Sequence, residues 1–509
     1  MNNKKTLTST FFGILMAGLL VGIGFLLADI NIPRYLIAIL IVSYFLNLAC
    51  GFIILVSKVR TDTVKACWLF VIILLPIVGL ILFFFFGVIP FKKKDYNEYE
   101  NVFGNVDIKD VEESKKIIKN ETKWNAYKLN FNTMHSPIYT DTKIDIIKNN
   151  NDILKQYIDL VRSAKETIYI QTYVIKKSVF FYTLANEMAK KAKQGVKVYF
   201  VYDWAGSYRK FNSKVIRMLD KAGVHVAVFN YNRWIPIKSS INFRSHQKML
   251  IVDSKVCFYG SSNITEEYLQ INTNRNIFFD INYIITGKII NSLIDTFIYN
   301  FKKYTNASEE VKKQLKFRKA IENKDNGSST QLVLGYPDCK YDNINFSVLS
   351  IINTAKKSIT IVNPFLLPTN EIVQALKIAA WRGVKIKIIL PHRNSDKNYS
   401  LLINRYLYAD WIKNNIEVYE FNMFVHTKFI IADEELCFFG SSNLDHRSLM
   451  INFENSILFK DKEFAGELKD IYDSYEKYSL KVDKAFIKKY VPLRKRVGHQ
   501  LLQIYKPLV

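Results

Sequence analysis

The chain has 509 residues, enough for a membrane region plus two ordinary domains or one large duplicated one. Hydrophobic residues make up 49% and charged residues 23%, so a packed core is within reach, and a formal net charge of +25 directs attention to anionic partners, acidic lipid or nucleic acid. Five cysteines with no C-x-x-C pair and no Cys/His cluster argue against a disulfide scaffold and against a metal centre.

Three apolar stretches come first, at about residues 11–28, 35–56 and 66–86. Each approaches the ~20 residues needed to cross hydrocarbon, so residues 1–94 read as a transmembrane region. Lys4 and Lys5 ahead of the first stretch also fit a signal peptide, but no A-x-A site follows, which favours a retained anchor. Lys/Arg residues divide five to four between alternating sides, so charge does not choose an orientation, and the cytoplasmic side is only slightly favoured for the rest of the chain. Residues 1–94 carry nine Lys/Arg and two Asp/Glu, which leaves +18 on the remainder.

Residues 95–121 are polar and charged and read as a linker with room for one short helix. Beyond them a strand-type run at 167–175, a helical run at 184–195 and a strand at 196–203 are followed later by the same order at 358–366, 371–383 and 384–391. Gly195 and Gly383 stand where helix C-caps are expected. The alternation predicts an α/β fold with mostly parallel central sheets, in two related halves at 122–325 and 326–485. The closing segment, 486–509, mixes basic and apolar residues and reads either as an amphipathic membrane-surface segment or as a terminal helix packed on the domain.

One pattern occurs twice. His246, Lys248 and Asp253 precede Gly260-Ser261-Ser262-Asn263; His426, Lys428 and Asp433 precede Gly440-Ser441-Ser442-Asn443, each matching residue offset by 180 positions. A lone histidine on a strand is usually a core residue, but two full matches at one offset are not chance. The duplicated H-x-K-x4-D-x6-G-S-x-N resembles the phospholipase D superfamily, which cuts or transfers phosphodiesters through a covalent phosphohistidine.

The residue types fit that chemistry. If each H-x-K lies on a strand, His and Lys share a face. One imidazole can attack phosphorus, and the other can protonate the leaving oxygen and later deprotonate the incoming alcohol. Two lysines offset the phosphate charge, and Asn263 and Asn443 can hydrogen-bond to it. No metal or other cofactor is needed. An imidazole nucleophile needs its other nitrogen held by an acceptor. The second repeat offers Glu454, 28 residues after His426, and the first offers Asp280, 34 residues after His246. Asp253 and Asp433 complete the family pattern, but their place at strand ends also suits fixing local turns. His135, His225, His392, His446 and His499 read as ordinary structural histidines.

The resemblance narrows to bacterial cardiolipin synthases, from about residue 35 to the C-terminus. It is carried by 74–87 (LLPIVGLILFFFFG), 261–269 (SSNITEEYL), 362–368 (VNPFLLP), 424–433 (FVHTKFIIAD), 441–454 (SSNLDHRSLMINFE) and 492–508 (PLRKRVGHQLLQIYKPL). The G-S-S-N of the first repeat and the extra apolar stretch at 11–28 depart from that family's usual pattern. The resemblance implies a multi-pass cell-membrane phosphatidyltransferase that makes cardiolipin and glycerol from two phosphatidylglycerol molecules. The expected partners are phosphatidylglycerol and anionic membrane lipid, with no nucleic acid; oligomeric state is open. A hydrolase, a transferase with another acceptor alcohol, and a membrane-tethered nuclease are the alternatives.

Overall fold

The structure, a computed structural model, describes residues 34–57, 62–87, 102–105, 107–119, 125–208, 213–231, 242–269, 277–317, 319–392 and 398–491. The chain divides into two compact units, Met1–Val88 and Ile89–Val509.

In the first unit the second apolar stretch forms the helix Arg34–Val56. The third is not one helix. It breaks at Leu75–Pro76 into Asp62–Leu74 and Pro76–Leu82 and ends in a π-helical turn, Phe83–Gly87. Proline lacks the amide hydrogen and its ring crowds the preceding turn, so a helix restarts there. At 1.5 Å per residue the two pieces reach only about 20 and 10 Å, against a hydrocarbon core of about 30 Å. Counted over the described residues, no helix is long and apolar enough to cross a membrane, and the expectation of N-terminal transmembrane helices is corrected accordingly. The stretch at 11–28 lies outside the described residues.

The second unit is built on two sheets. The first has seven strands, in the order Lys143–Ile147, Asn282–Thr286, Val256–Gly260, Met249–Val252, Thr167–Thr172, Lys197–Asp203, His225–Phe229. The second has nine, with Phe429–Ala432, Ser358–Val362 and Lys385–Pro391 in the corresponding central places. The α/β class stands, but the expected mostly parallel sheets do not. In the first sheet only Thr167–Thr172 with Lys197–Asp203, and Lys197–Asp203 with His225–Phe229, run parallel. In the second only Ser358–Val362 with Lys385–Pro391, and Lys385–Pro391 with Ile416–Phe421, do. The remaining pairs are antiparallel. The cause is local. The strand after each H-x-K turns straight back into the strand leading to G-S-S-N, and strands joined by a tight turn must be antiparallel. Asp253 and Ser254 make the first turn at φ 51° and 55°, and Asp433 and Glu434 the second at φ 53° and 58°.

Period-2 alternation sets the layers. Ile168, Ile170, Val198 and Phe200 pack beneath the helices Asn150–Ser163 and Val179–Lys193. Tyr169, Tyr199 and Val201, on the opposite face, join a core that also holds the Ile289–Tyr304 helix and the apolar residues of the second sheet. Ile138–Tyr139, from the first half, even adds an edge strand to the second sheet. The two halves therefore share one core. Within the 95–121 segment, Ile108–Lys119 is a short helix. At the other end, Lys484–Tyr490 is a packed helix with Phe486 and Ile487 buried; residues 492–509, most of the closing segment, lie outside the described residues.

Candidate active site

The H-x-K residues do not lie in the ladder strands. Those strands begin at Met249 and Phe429, and each H-x-K is the extended strip leading in. Each strip crosses to the other half of the molecule. His246 donates its backbone amide to Phe453 O (2.8 Å), and Phe453 donates back to Arg244 O (2.8 Å). In the mirror arrangement His426 donates to Phe279 O (2.7 Å), and Phe424–Val425 pairs in parallel with Phe278–Phe279.

This crossing decides which acid holds which imidazole. His246 Nδ1 lies 2.9 and 3.0 Å from the two carboxylate oxygens of Glu454, and His426 Nδ1 lies 2.9 Å from Asp280 Oδ2. Each acid serves the histidine of the opposite repeat, not of its own. The register explains it: Glu454 directly follows Phe453, and Asp280 directly follows Phe279. A carboxylate at Nδ1 calls for a proton there, which leaves each Nε2 with its lone pair.

The first serine of each G-S-S-N supports the acid. Ser261 Oγ donates to Asp280 at 2.7 and 2.9 Å, and Ser441 Oγ donates to Glu454. Sequence reading assigned these serines no role, although their shared place in the repeat was the available signal. The glycine before them permits the approach. At Gly440 (φ 152°) a Cβ would lie 2.5 Å from Asn455 O and 2.7 Å from the Tyr259 hydroxyl.

Lys248 Nζ donates to the carbonyl of His246. Lys428 Nζ donates to His426 O (2.7 Å) and stands 3.2 and 3.3 Å from the two His426 ring nitrogens. Asn263 is engaged internally: its Oδ1 accepts from the Val174 amide (3.1 Å) and its Nδ2 donates to the Tyr268 hydroxyl (3.1 Å). Asn443 differs, with its side-chain oxygen buried and unpaired among the described residues.

Asp253 and Asp433 are not brought to the site. They sit at the far ends of the strands, where their carboxylates collect backbone amides. Asp253 takes those of Lys165, Glu166 and Thr167, each at 2.8 Å, and Asp433 takes those of Lys356, Lys357 and Ser358 at 2.6–3.1 Å. They pin the start of the neighbouring strand, which is the turn-fixing reading of these residues.

Burial governs the electrostatics. It pushes the His246 imidazole down to about 4 and His426 to about 3, so both are neutral near pH 7. It lowers Lys248 to about 7 and Lys428 to about 8, with mutual repulsion adding to the effect on Lys248. Burial alone would raise Glu454 and Asp280, but their histidine, lysine and serine partners outweigh it and hold both carboxyls below the usual range. Lys248 interacts electrostatically with Lys428, Glu454 and Asp280, so the two half-sites act on one space. An entering phosphodiester anion restores the charge that burial has removed from the lysines.

The half-sites are not identical. Tyr173 packs edge-on to His246 (ring centroids 5.1 Å), while Tyr268 packs edge-on to His426 (5.3 Å). Beneath His246 lies a buried network: Gln171 Nε2 donates to Gln247 Oε1 (3.0 Å), as does Asn300 Nδ2 (2.7 Å), and Gln247 Nε2 donates to the Tyr336 hydroxyl (3.1 Å). Thr427, in the place of Gln247, meets the Tyr475 hydroxyl instead (3.2 Å). Nothing in the H-x-K pattern signals these partners, since they come from distant segments. Among the described residues no group of His, Cys, Asp and Glu side chains is arranged to hold a metal ion.

Comparison with known proteins identifies the family. The family described as cardiolipin synthase, PLD-like domain, matches residues 157–298 and 348–475, together more than half of the chain. A second family, phospholipase D-nuclease N-terminal, matches residues 45–87. The chain is 28% identical over 432 residues to a cardiolipin synthase of Halalkalibacterium halodurans, covering 83% of this chain and 84% of that one. It is 27% identical over 473 residues to one from Alkalihalophilus pseudofirmus (91% and 92% covered) and 28% identical over 461 residues to one from Clostridium perfringens (88% and 95%). Among solved structures, the phosphatidylserine synthase of Haemophilus influenzae superposes with a TM-score of 0.59 at 14% identity, over 75% of this chain and all of that one, a likeness of fold.

Proposed function

The chain belongs to the cardiolipin synthase, PLD-like domain family, and from that premise we propose that it joins two phosphatidylglycerol molecules into cardiolipin with release of glycerol. It is an enzyme, a phospholipid phosphatidyltransferase of the phospholipase D superfamily. The observation that carries the mechanism is the pair of neutral imidazoles, each with Nδ1 held by a buried carboxylate of the other half.

In the first step His246 Nε2 attacks the phosphorus of one phosphatidylglycerol. The P–O bond to glycerol breaks, and the leaving oxygen takes the proton that His426 Nε2 picks up from solvent as the anionic phosphate enters and raises its proton affinity. In the second step a hydroxyl of another phosphatidylglycerol gives its proton to His426 Nε2 and forms the new P–O bond. The P–N bond to His246 then breaks. Lys248 and Lys428 neutralise the nonbridging oxygens, and Asn443 contacts the phosphate or its substituent. Asn263, Asp280 and Glu454 orient the reacting groups. No step calls for a metal or other cofactor.

The protein is membrane-associated. Its substrate is a lipid, and the first unit exposes Tyr35, Phe45, Phe52 and Phe84. The +18 carried by residues 95–509 suits the anionic cytoplasmic leaflet.

The test is the purified full chain with phosphatidylglycerol vesicles and mass spectrometry of the lipids. Cardiolipin and glycerol in equal amounts are expected. Phosphatidic acid without cardiolipin would make it a hydrolase, and a product with another headgroup would reassign the acceptor.

A further inference from the structure

One more imidazole is held as the reactive pair is. His392 follows the Lys385–Pro391 strand, and its Nδ1 lies 2.6 Å from Glu420 Oε2. Glu420 is fully buried and already well supplied with donors. Arg405 reaches it through Nε (2.8 Å) and Nη2 (2.7 Å), and the Tyr408 hydroxyl donates at 2.9 Å. Arg405 is itself fixed over the rings of Phe486 (5.5 Å) and Tyr490 (5.0 Å). With charge and hydrogen bonds thus supplied, Glu420 does not need His392. The histidine is the member being oriented.

The orientation leaves something to use. Nδ1 is taken up by the carboxylate, so Nε2 is the ring nitrogen left to meet a ligand. The His392 side chain is 19% exposed, and its Nε2 makes no hydrogen bond among the described residues. A histidine kept only for packing has no need of a carboxylate that fixes its tautomer.

Its place in the fold ties it to the site. His392 N donates to Phe421 O (2.7 Å), the Phe421 ring packs on Phe279 (5.2 Å), and Phe279 O accepts the amide of His426 (2.7 Å). The helix carrying Arg405 and Tyr408, Asn398–Lys413, also carries Asn404, whose Oδ1 accepts from Leu366 N (3.3 Å). Leu366–Leu367 in turn pairs with Leu444–Asp445, next to Asn443. His392 therefore stands on the His426 side, at the carboxyl ends of parallel strands, where α/β sheets bind ligands.

We propose that His392 is a headgroup-binding residue whose Nε2 accepts a hydroxyl of a glycerol headgroup on the His426 side of the site. It acts on the leaving glycerol in the first step and on the entering headgroup in the second, since both occupy that side. The proposal rests on the phosphatidyl-transfer reading above.

The experiment is a partition of the phosphatidyl-enzyme. The full chain in phosphatidylglycerol vesicles is given isotopically labelled glycerol and ethanol together, and labelled phosphatidylglycerol and phosphatidylethanol are measured. Their ratio reports only which alcohol the intermediate accepts, so a merely structural role, or partial unfolding, leaves it unmoved. His392→Phe, which keeps a ring against Tyr490, is expected to lower the glycerol-to-ethanol ratio about fivefold to tenfold, the loss of one hydrogen bond. His392→Gln, which keeps a polar acceptor, should recover most of it. Cardiolipin formation should fall with labelled-glycerol incorporation. An unchanged ratio in the Phe variant overturns the proposal while the function stands. A wild-type protein that forms neither cardiolipin nor either labelled product overturns the function reading and this inference with it.

Discussion

Glu454 reaches out of one half of the molecule to hold the imidazole of His246 in the other, and Asp280 returns the arrangement to His426. The active unit is thus a cross-braced pair, and neither half holds its own reactive imidazole with its own acid.

The crossing predicts which residues couple. Removing one partner of a buried hydrogen bond to a charged group typically costs about 1–3 kcal/mol or more. In a double-mutant cycle on unfolding free energy, Glu454→Ala and His246→Ala should therefore couple by more than about 1 kcal/mol, while Glu454→Ala and His426→Ala should add to within about 0.5 kcal/mol. Denaturant melts of the singles and doubles check this. Stronger coupling of Glu454 to His426 would contradict the cross-brace.

His246→Ala and His426→Ala should each remove nearly all turnover while the protein stays folded, because each imidazole serves a different step. Every 1.4 kcal/mol of barrier is about tenfold in rate, so residual activity within about tenfold of wild type in either variant would refute a two-histidine scheme. Rapid quenching of the full-length protein with labelled phosphatidylglycerol in neutral denaturant, which spares the acid-labile P–N bond, should trap the adduct on His246; an adduct mapped to His426 would exchange their roles.

Much of this site could be read in the sequence, for physical reasons. The H-x-K and G-S-S-N patterns are local, and the strands Thr167–Thr172 and Lys197–Asp203 announce themselves by β-branched and aromatic residues. Asp280 and Glu454 could be picked out as acids in strand-like frames, but pairing them with histidines of their own repeats failed, because partner choice depends on the long-range strips Phe278–Phe279 and Phe424–Val425. Sheet direction failed for a similar reason. The hairpins turn on Asp253-Ser254 and Asp433-Glu434, non-glycine residues at positive φ that carry no standard turn signature. Pro76 stood in plain view, and the apolar run around it masked its effect as a helix break.

The lowered lysines set a pH dependence. In the free enzyme Lys248 titrates at about 7 and Lys428 at about 8, and the protonated forms neutralise the phosphate. kcat/KM, which reports the free enzyme, should therefore fall as pH rises through about 7 to 8. On the acid side His246 must be unprotonated to attack, which sets a limit near its pKa of about 4, and the proton that His426 takes up, against a pKa of about 3 in the free enzyme, makes kcat/KM decline with rising pH between these limits as well. A plateau extending above pH 9 would mean that lysine charge is not required.

Asp253 and Asp433 should matter for stability and not for chemistry. Each carboxylate holds the amides of three successive residues at the start of a central strand and lies at the opposite end of its own strand from the H-x-K strip. Asp253→Ala removes those acceptors and relaxes a turn held at φ 51°. The turn is partly exposed, so water takes over part of the lost bonding, and a cost of about 1–3 kcal/mol is expected. In a unit of this size that is a fall of about 1–3 °C in Tm. Turnover per folded molecule should remain within about threefold of wild type, in contrast with His426→Ala, because no reacting group loses a partner. Thermal melts paired with activity normalised to the folded fraction measure both. Loss of turnover by a hundredfold or more in folded Asp253→Ala would return this residue to the catalytic set.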